Sequence, residues 1–476
     1  MSDLHFHPTA KRFPADGIPE VIIESEPALA EIYRLAWRQA WEHVFESELM
    51  PFSPWLSEGC GTDRIWIWDS CFMGMFCRYA PRVFPGRATL DDLYYLLDRP
   101  DAPIRIQHRD NPPLFAWIEW AYHQMDPDGE RLAHVLPKLV KHYDFLENLD
   151  PAEFRSDPPP PIIWQREDGG YCWNGCSSGM DNTPRGRGDY ASIWWVDAPA
   201  QQALAADCIC KIADVLGEAE IAERFRAEFE AKKRLLQTFW DDETGAFLDL
   251  YRNGGGFCRV LTPASYWVIL AGCASPEQRD RQFSLLKDPR KLGGIVPFPS
   301  VSRDDPDFDP SGRYWRGSVW LPTAYAGIKA LERYGEYETA SKLSLDLLRF
   351  MVRTYREYSP HTIWECYSPT GPRPATSRIK PVVRKDFCGW SALGPISLLI
   401  ENVVGISGFD ASSRSLTWNP GVSEGRSGIR NLNFCGGRFD LIREGKMLRI
   451  RGDFPVTVYF RDRKLECAGG ENIFSL

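Results

Sequence analysis

Two carboxylates stand in settings that suit proton transfer. Asp181 lies in GYCWNGCSSGMDNTPRGRG, preceded by Ser177, Ser178 and Gly179 and followed by Asn182, Thr183, Pro184 and Arg185. Glycine and proline on both sides describe a fixed loop, because neither a helix nor a strand uses that pattern. A carboxyl held there against Trp173 loses water, its pKa rises, and it can donate a proton to a leaving oxygen. The alternative for Asp181 is an Asx-turn or a helix cap in a surface loop. Glu365 lies in HTIWECYSPTGPRP, between Trp364 and Tyr367 and ahead of a turn through Pro369, Gly371 and Pro372. An exposed glutamate is ordinarily a solvated charge; one set among aromatics and kept ionised by hydrogen bonds can activate a water. Such a pair could serve as a general acid and a general base.

Two further segments pair tryptophan with a charged group. In RYWRGSVWLPTAYAGIKAL, Tyr314, Trp315, Arg316 and Trp320 precede a clean helical pattern. Arg316 can hold a carboxylate or a hydroxyl bidentately, or simply pack at the helix entry. In DRIWIWDSCFMGMF, Trp66, Trp68 and Asp69 stand at the mouth of a helix, where Asp69 serves either as a cap or as a ligand for sugar hydroxyls.

The composition agrees with an aromatic-lined site. The chain of 476 residues carries 18 Trp, 18 Tyr and 26 Phe, and many of the tryptophans adjoin Gly, Asn, Asp or Arg outside helical patterns. A flat apolar ring beside hydrogen-bonding groups suits a sugar, which has C–H faces and a rim of hydroxyls. The net charge of −9 is spread without a long basic block, which argues against nucleic acid. The start, MSDLHFHPTAKRF, lacks the order of a secretory signal, and the apolar run GWSALGPISLLIENVVGI is broken by Pro395, Glu401 and Asn402, so no membrane segment is expected. The 13 cysteines follow no disulfide framework and read as reduced thiols of a cytoplasmic protein. Cys172 with Cys176, or Cys208 with Cys210, find no second Cys/His pair, so no metal is expected.

Helical apolar spacing recurs from about residue 26 to 403, at roughly 26–45, 69–80, 87–98, 112–125, 129–148, 192–216, 219–240, 262–273, 276–287, 318–334, 336–356 and 387–403. Twelve helices in consecutive pairs predict an all-α (α/α)6 barrel. Ser275 reads as an N-cap and Gly217 as a helix stop. The long connections, 49–68, 99–111, 150–191, 288–317 and 357–386, hold the unusual residues, as functional loops do. Within one of them, Pro158–Pro161 reads as a stiff spacer. Beyond Gly405 the pattern alternates apolar and polar, in SLTWNP, GIRNLNFCGGRFDLIR, KMLRIRG and FPVTVYF. The expected division is therefore a catalytic helical domain over 1–404 and a small antiparallel, β-sandwich-like domain over 405–476 that caps one end of the barrel.

The ordered set IWIWDSCF, NPPLFAW, GMDNTPR, GGIVPFPS, YWRGSVW, WECYSPTG and FCGWSALG resembles glycoside hydrolase family 63 and its trehalase-like relatives, including enzymes of the mannosylglycerate-hydrolase type. The resemblance covers nearly the whole helical region. It implies an inverting hydrolase of α-O-glycosidic bonds on an (α/α)6 barrel, without metal or organic cofactor, with Asp181 as general acid and Glu365 as general base. The substrate-binding set it implies is Trp66, Trp68, Asp69, Gln107, Asn111, Trp173, Asn182, Arg185, Tyr314, Trp315, Arg316, Trp320, Tyr367 and Trp390. The chain departs from the family at Cys366, where Asn is common, and at Met180, near which an aromatic is common. It also lacks the large N-terminal β domain of the bigger members, which favours a short substrate: a glucoside or mannoside disaccharide, or a glycosyl conjugate. The rival readings are a sugar epimerase or isomerase, for which only His108 and His361 lie in candidate loops, and a carbohydrate-binding protein without catalysis.

Overall fold

The computed structural model describes residues 6–59, 63–150, 163–422 and 424–476. The proline run 158–161 lies outside the described residues. Helices occupy all twelve expected places: α1 (Pro27–Trp41), α2 (Ile67–Cys77), α3 (Gly86–Leu97), α4 (Phe115–Met125), α5 (Gly129–Glu147), α6 (Asp197–Leu216), α7 (Ala219–Leu236), α8 (Tyr266–Ala271), α9 (Pro276–Ser284), α10 (Leu321–Arg333), α11 (Tyr337–Glu357) and α12 (Gly394–Val404). Ser275 forms a reciprocal capping box with Gln278 at the start of α9, and Gly217 ends α6 in the left-handed conformation at φ 74°. The first helix stops short of its expected end, because Val44–Ser47 is extended and pairs with both Phe6–Pro8 and Trp55–Leu56. The last helix is wound at the wider π pitch after a 3₁₀ turn over Trp390–Leu393.

The even-numbered helices neighbour one another in turn. α2 packs on α4, α4 on α6, α6 on α8 and α8 on α10, and the entry to α12 packs on both α10 and α2. Three of them are enclosed on every side, as core helices are: all of α2, α8 and α12 is buried. Odd-numbered helices pack outside them, α3 on α2, α5 and α7 on α6, and α11 on α12. Only Ala222, Phe225, Lys232 and Leu236 of α7 are buried, a single stripe.

Nine strands form the two larger sheets: β1 (Glu20–Ile23), β2 (Ile406–Asp410), β3 (Ser415–Trp418), β4 (Ser427–Phe434), β5 (Gly437–Glu444), β6 (Met447–Gly452), β7 (Val456–Phe460), β8 (Arg463–Cys467) and β9 (Gly470–Ser475). One sheet has the order β2-β3-β7-β8 and the other β1-β4-β5-β6-β9. In the first, β3 and β7 run parallel, so that sheet is mixed where an antiparallel unit was expected; the second is antiparallel throughout. The N-terminal strand β1 thus enters a sheet otherwise built from the C-terminal segment, pairing Ile23 with Ser427 and Glu20 with Arg430. Its alternation, with Val21 and Ile23 buried, is too short to stand out in the sequence. This β layer packs on the far end of α2: the Phe409 ring lies 6.3 Å from that of Tyr79, and the Trp418 indole donates to the Val404 carbonyl at 3.0 Å. Tyr79 follows Asp69 by ten residues, which at a helical rise is about 15 Å. Among the described residues no helix is long and apolar enough to cross a membrane.

Buried ion clusters lock the helices. At the far end, Glu401 of α12 accepts from Arg78 at 2.7 Å, from Tyr79 at 2.5 Å and from Tyr325 at 3.2 Å, and pairs with Lys329. At the near end Arg185, expected to bind substrate, is fully buried. It forks to Asp197 at the start of α6, at 2.8 Å through two nitrogens, and to Asp249 at 2.5 and 2.8 Å. Its guanidinium lies 4.1 Å above the Trp195 ring. The residue therefore anchors the loop after Asp181 to α6 and has no face left for a ligand. Arg185→Met leaves two buried aspartates without their cation, and chemical denaturation is expected to show a loss of about 3–5 kcal/mol; an unchanged midpoint would contradict the anchoring role.

Candidate active site

The N-terminal ends of several inner helices converge on a cavity of about 330 Å³. Trp66 and Asp69 flank the start of α2, Asn111 precedes α4, Trp320 caps α10, and Trp390 opens the turn into α12. All of these line the cavity, as do Trp68, Gln107, Asp181, Tyr314 and Trp315. A wider opening of about 810 Å³ adjoins it, holding Glu365 and sharing Tyr314, Arg378 and Arg384 with the first. Asp181 and Glu365, far apart in the chain, are thus brought to one place.

The loop of Asp181 owes its shape to short-range bonds. Asn174 accepts from the Ser177 N–H at 2.9 Å, Ser178 Oγ donates to the Gly175 carbonyl at 2.9 Å, and Asn111 Nδ2 donates to the Ser177 carbonyl at 2.7 Å. The Tyr190 hydroxyl contacts the Asp181 and Thr183 carbonyls at 3.1 and 3.0 Å. Two glycines are required. A Cβ on Gly175 would lie 2.1 Å from the Asp181 carbonyl oxygen, and one on Gly179 (φ +81°) would lie 2.8 Å from the Trp68 ring.

The two carboxyl groups have different partners. Asp181 is about a quarter exposed (24%) and pairs with Arg378 at 3.1 Å. Burial pushes its pKa up to about 6; Arg378 pulls against that rise and the charge of Glu365 adds to it. Glu365 is 3% exposed. Its Oε1 accepts from the Tyr314 hydroxyl at 3.1 Å and from the Arg384 guanidinium at 3.0 Å, and its Oε2 from the Arg384 N–H at 3.1 Å. These partners of Glu365 are all hydrogen-bond donors, and they engage both of its carboxylate oxygens. Tyr314 adopts φ 65°, an unfavoured conformation for a non-glycine residue, at the point where its hydroxyl reaches Glu365.

Around the pair lie ring faces and a third carboxyl. Trp315 stacks on Trp320 with centroids 4.2 Å apart and planes 3° from parallel, and Tyr314 meets Trp320 edge-on at 4.8 Å. The Trp390 indole donates to the Glu365 carbonyl at 3.1 Å. Asp69 is buried beside Glu58. Burial pushes its pKa well above the usual carboxylate range, Glu58 adds to the rise, and Arg384 opposes it.

Four other residues expected to bind substrate are not among those lining the cavity. Trp173 is fully buried and donates to the Asp110 carbonyl at 3.0 Å. Asn182 donates to the Arg313 carbonyl at 3.0 Å and accepts from the Trp315 N–H at 2.8 Å. Arg316 pairs with Asp307 at 2.9 Å and donates to the Asn182 carbonyl at 3.0 Å. Tyr367 is buried, and its hydroxyl accepts from the Trp364 N–H at 3.3 Å. Conversely, the cavity contains Glu58, His108, Cys176, Arg378 and Arg384, absent from the expected set. Burial and the charge of Arg64 push His108 down to about 4, so it is a neutral ring, whereas His361 lies outside the cavity with its ring against the Tyr355 carbonyl. The arginines had a signal, the run SRIKPVVRK in a loop already conspicuous for its length; Glu58 had none.

Comparison with known proteins places this architecture. The model of the mannosylglycerate hydrolase MGH1-like glycoside hydrolase domain matches residues 64–378. A Borreliella burgdorferi protein of unassigned function is 26% identical over 383 residues, 76% of each chain. A probable mannosyl-oligosaccharide glucosidase of Schizosaccharomyces pombe is 26% identical over 298 residues, 57% of this chain and 35% of the yeast protein, so the chain spans about a third of that relative's length. The crystal structure of the family 63 mannosylglycerate hydrolase of Thermus thermophilus, in complex with Tris and D-glycerate, superposes with a TM-score of 0.60 at 17% identity. The match covers 77% of this chain and 99% of that one, a likeness of fold. With the family model matching about two thirds of its length, this chain belongs to the mannosylglycerate hydrolase MGH1-like glycoside hydrolase family.

Proposed function

We propose that the protein is an inverting glycoside hydrolase in which Asp181 protonates the glycosidic oxygen while Glu365 deprotonates a water on the opposite face of the sugar. The observation that carries this reading is the contrast between the two carboxyls. Asp181 is desolvated and retains its proton to about pH 6, while Glu365 is surrounded by the donors Tyr314 and Arg384. Desolvation suits Asp181 to the role of acid, and Glu365, held by hydrogen-bond donors, is left the role of base. Trp66, Trp68, Asp69 and Trp390 would hold the non-reducing sugar. The inner ring of even-numbered helices, with their N-termini at the cavity, supports an (α/α)6 barrel over 1–404, and the β layer supports an accessory unit over 405–476.

Arg378 stands beside the acid and is half-exposed, on the side from which the leaving group departs. A guanidinium there favours an aglycone bearing a carboxylate, so we place short α-mannosyl or α-glucosyl conjugates of small hydroxy acids first among substrates. A reducing, intracellular setting accords with the twelve described cysteines, all free thiols.

Three measurements test the reading. In a panel of α-mannosides and α-glucosides, including conjugates of glycerate, NMR is expected to show the β-anomer of the released sugar first; the α-anomer first would overturn inversion. Asp181→Asn and Glu365→Gln are each expected to lower kcat about 10²–10⁴-fold; turnover equal to wild type in both would remove the catalytic assignment. The acid must be protonated, so kcat/KM is expected to fall as pH rises through about 6. Arg378 holds the Asp181 pKa down, so Arg378→Met moves that alkaline limb to higher pH; a shift to lower pH contradicts the assignment of the limb to Asp181.

A further inference from the structure

The inner wall of the cavity holds a carboxylate to which the acid–base reading assigns no work. Glu58 is 3% exposed, lines the cavity with Trp68 and Asp69, and belongs to no helix or strand. Its backbone is fixed by its neighbours: the Ser57 N–H donates to the His43 carbonyl at 3.0 Å, and the Gly59 N–H donates to Ser57 Oγ at 3.0 Å. The His43 ring meets the Ser57 carbonyl at 3.0 Å.

One residue links Glu58 to Glu365. Arg384 donates through Nη1 to Glu58 Oε2 at 3.1 Å and through Nη2 to Glu365 Oε1 at 3.0 Å. Its main chain is tied to the same glutamate twice, N–H to Glu365 Oε2 at 3.1 Å and carbonyl to the Glu365 N–H at 3.0 Å. The guanidinium also lies 4.5 Å from the Phe387 ring and 5.9 Å from that of Trp390. A planar fork held by a carboxylate at each end and by a ring face has little freedom left. Glu58 thus holds one arm of the fork whose other arm reaches Glu365.

We infer that Glu58 is a positioning residue for the base, acting through Arg384, and that its place in the cavity wall couples filling of the inner sugar subsite to alignment of Glu365. The inference rests on Glu365 being the base. Misplacing a reacting group by about 1 Å costs on the order of 10²-fold in rate, which sets the size of the expected effect. Glu58 and Asp69 line the same cavity, and the charge of Glu58 adds to the rise of the Asp69 pKa that burial causes, so a sugar hydroxyl meeting Asp69 also meets the field of Glu58.

The test compares Glu58→Gln, Arg384→Lys, Arg384→Met and the Glu58→Gln/Arg384→Met double variant. The substrates are methyl and 2,4-dinitrophenyl α-D-mannosides and α-D-glucosides, and thermal melting reports folding. The dinitrophenyl leaving group departs without a proton, so a defect in the acid spares it and a defect in the base does not. Glu58→Gln is expected to lower kcat about 10²-fold on both leaving groups, with KM within about threefold of wild type. Arg384→Lys, which keeps the charge but cannot fork, is expected to show the same pattern and serves if Glu58→Gln does not fold. The double variant is expected to match Arg384→Met alone, because residues acting along one path are not additive. A raised KM with kcat intact, multiplied effects in the double variant, or wild-type turnover by Glu58→Gln would each overturn the inference while leaving acid and base in place. Wild-type activity in Glu365→Gln, or no turnover by the unaltered protein, would overturn the acid–base reading itself and this inference with it.

Discussion

The amide of Asn182 joins the two halves of the site. It donates to the Arg313 carbonyl and accepts from the Trp315 N–H, while its own carbonyl accepts from Arg316. The residue before it is Asp181, and between Arg313 and Trp315 is Tyr314, whose hydroxyl reaches Glu365. The separation of the two carboxyls is therefore not left to the helices, whose ends tolerate small shifts. It is set by three hydrogen bonds between two loops, with Arg185 clamping one of those loops to α6 from behind. Such over-determination is what a strained residue such as Tyr314 requires if it is to keep its conformation.

Electrostatics adds a division of labour. The cavity gathers Glu58, Asp69, Asp181 and Glu365 against Arg378 and Arg384. Carboxyls placed this close cannot all ionise at little cost. Asp181 and Asp69 take the rise, Asp181 with desolvation and the charge of Glu365, and Asp69 with desolvation and the charge of Glu58. Arg384 sits between Glu58 and Glu365 and binds both directly. Arg378 pairs with Asp181 alone of the four carboxyls, while Arg384 divides its guanidinium between two.

The legibility of this arrangement in the sequence varied with the range of the interactions. Helix positions were plain, since each depends on apolar spacing within itself, and the Ser275 cap and Gly217 stop were readable for the same reason. Strand β1 was not, because four residues pairing with Ser427–Arg430 show no periodicity of their own. At the site, the segments around Asp181, Glu365, Trp68 and Tyr314 were conspicuous by type and do line one cavity and the opening that adjoins it. Which side chains within a segment face that cavity was not readable: Trp173, Asn182, Arg185, Arg316 and Tyr367 turn to backbone groups, aspartates or the wall. Glu58 escaped notice because its meaning comes wholly from Arg384, more than three hundred residues away in the chain.

The proposed mechanism has Asp181 and Glu365 facing a sugar from opposite sides, with a water on the side of Glu365. A crystal structure of Asp181→Asn with an uncleaved α-mannosyl or α-glucosyl conjugate tests it most directly. The glycosidic oxygen is expected beside residue 181 and, beneath the anomeric carbon, a water within hydrogen-bond reach of Glu365, about 2.6–3.2 Å. A sugar seated with the Glu365 carboxylate directly against its anomeric carbon, or bound away from both residues, would contradict it.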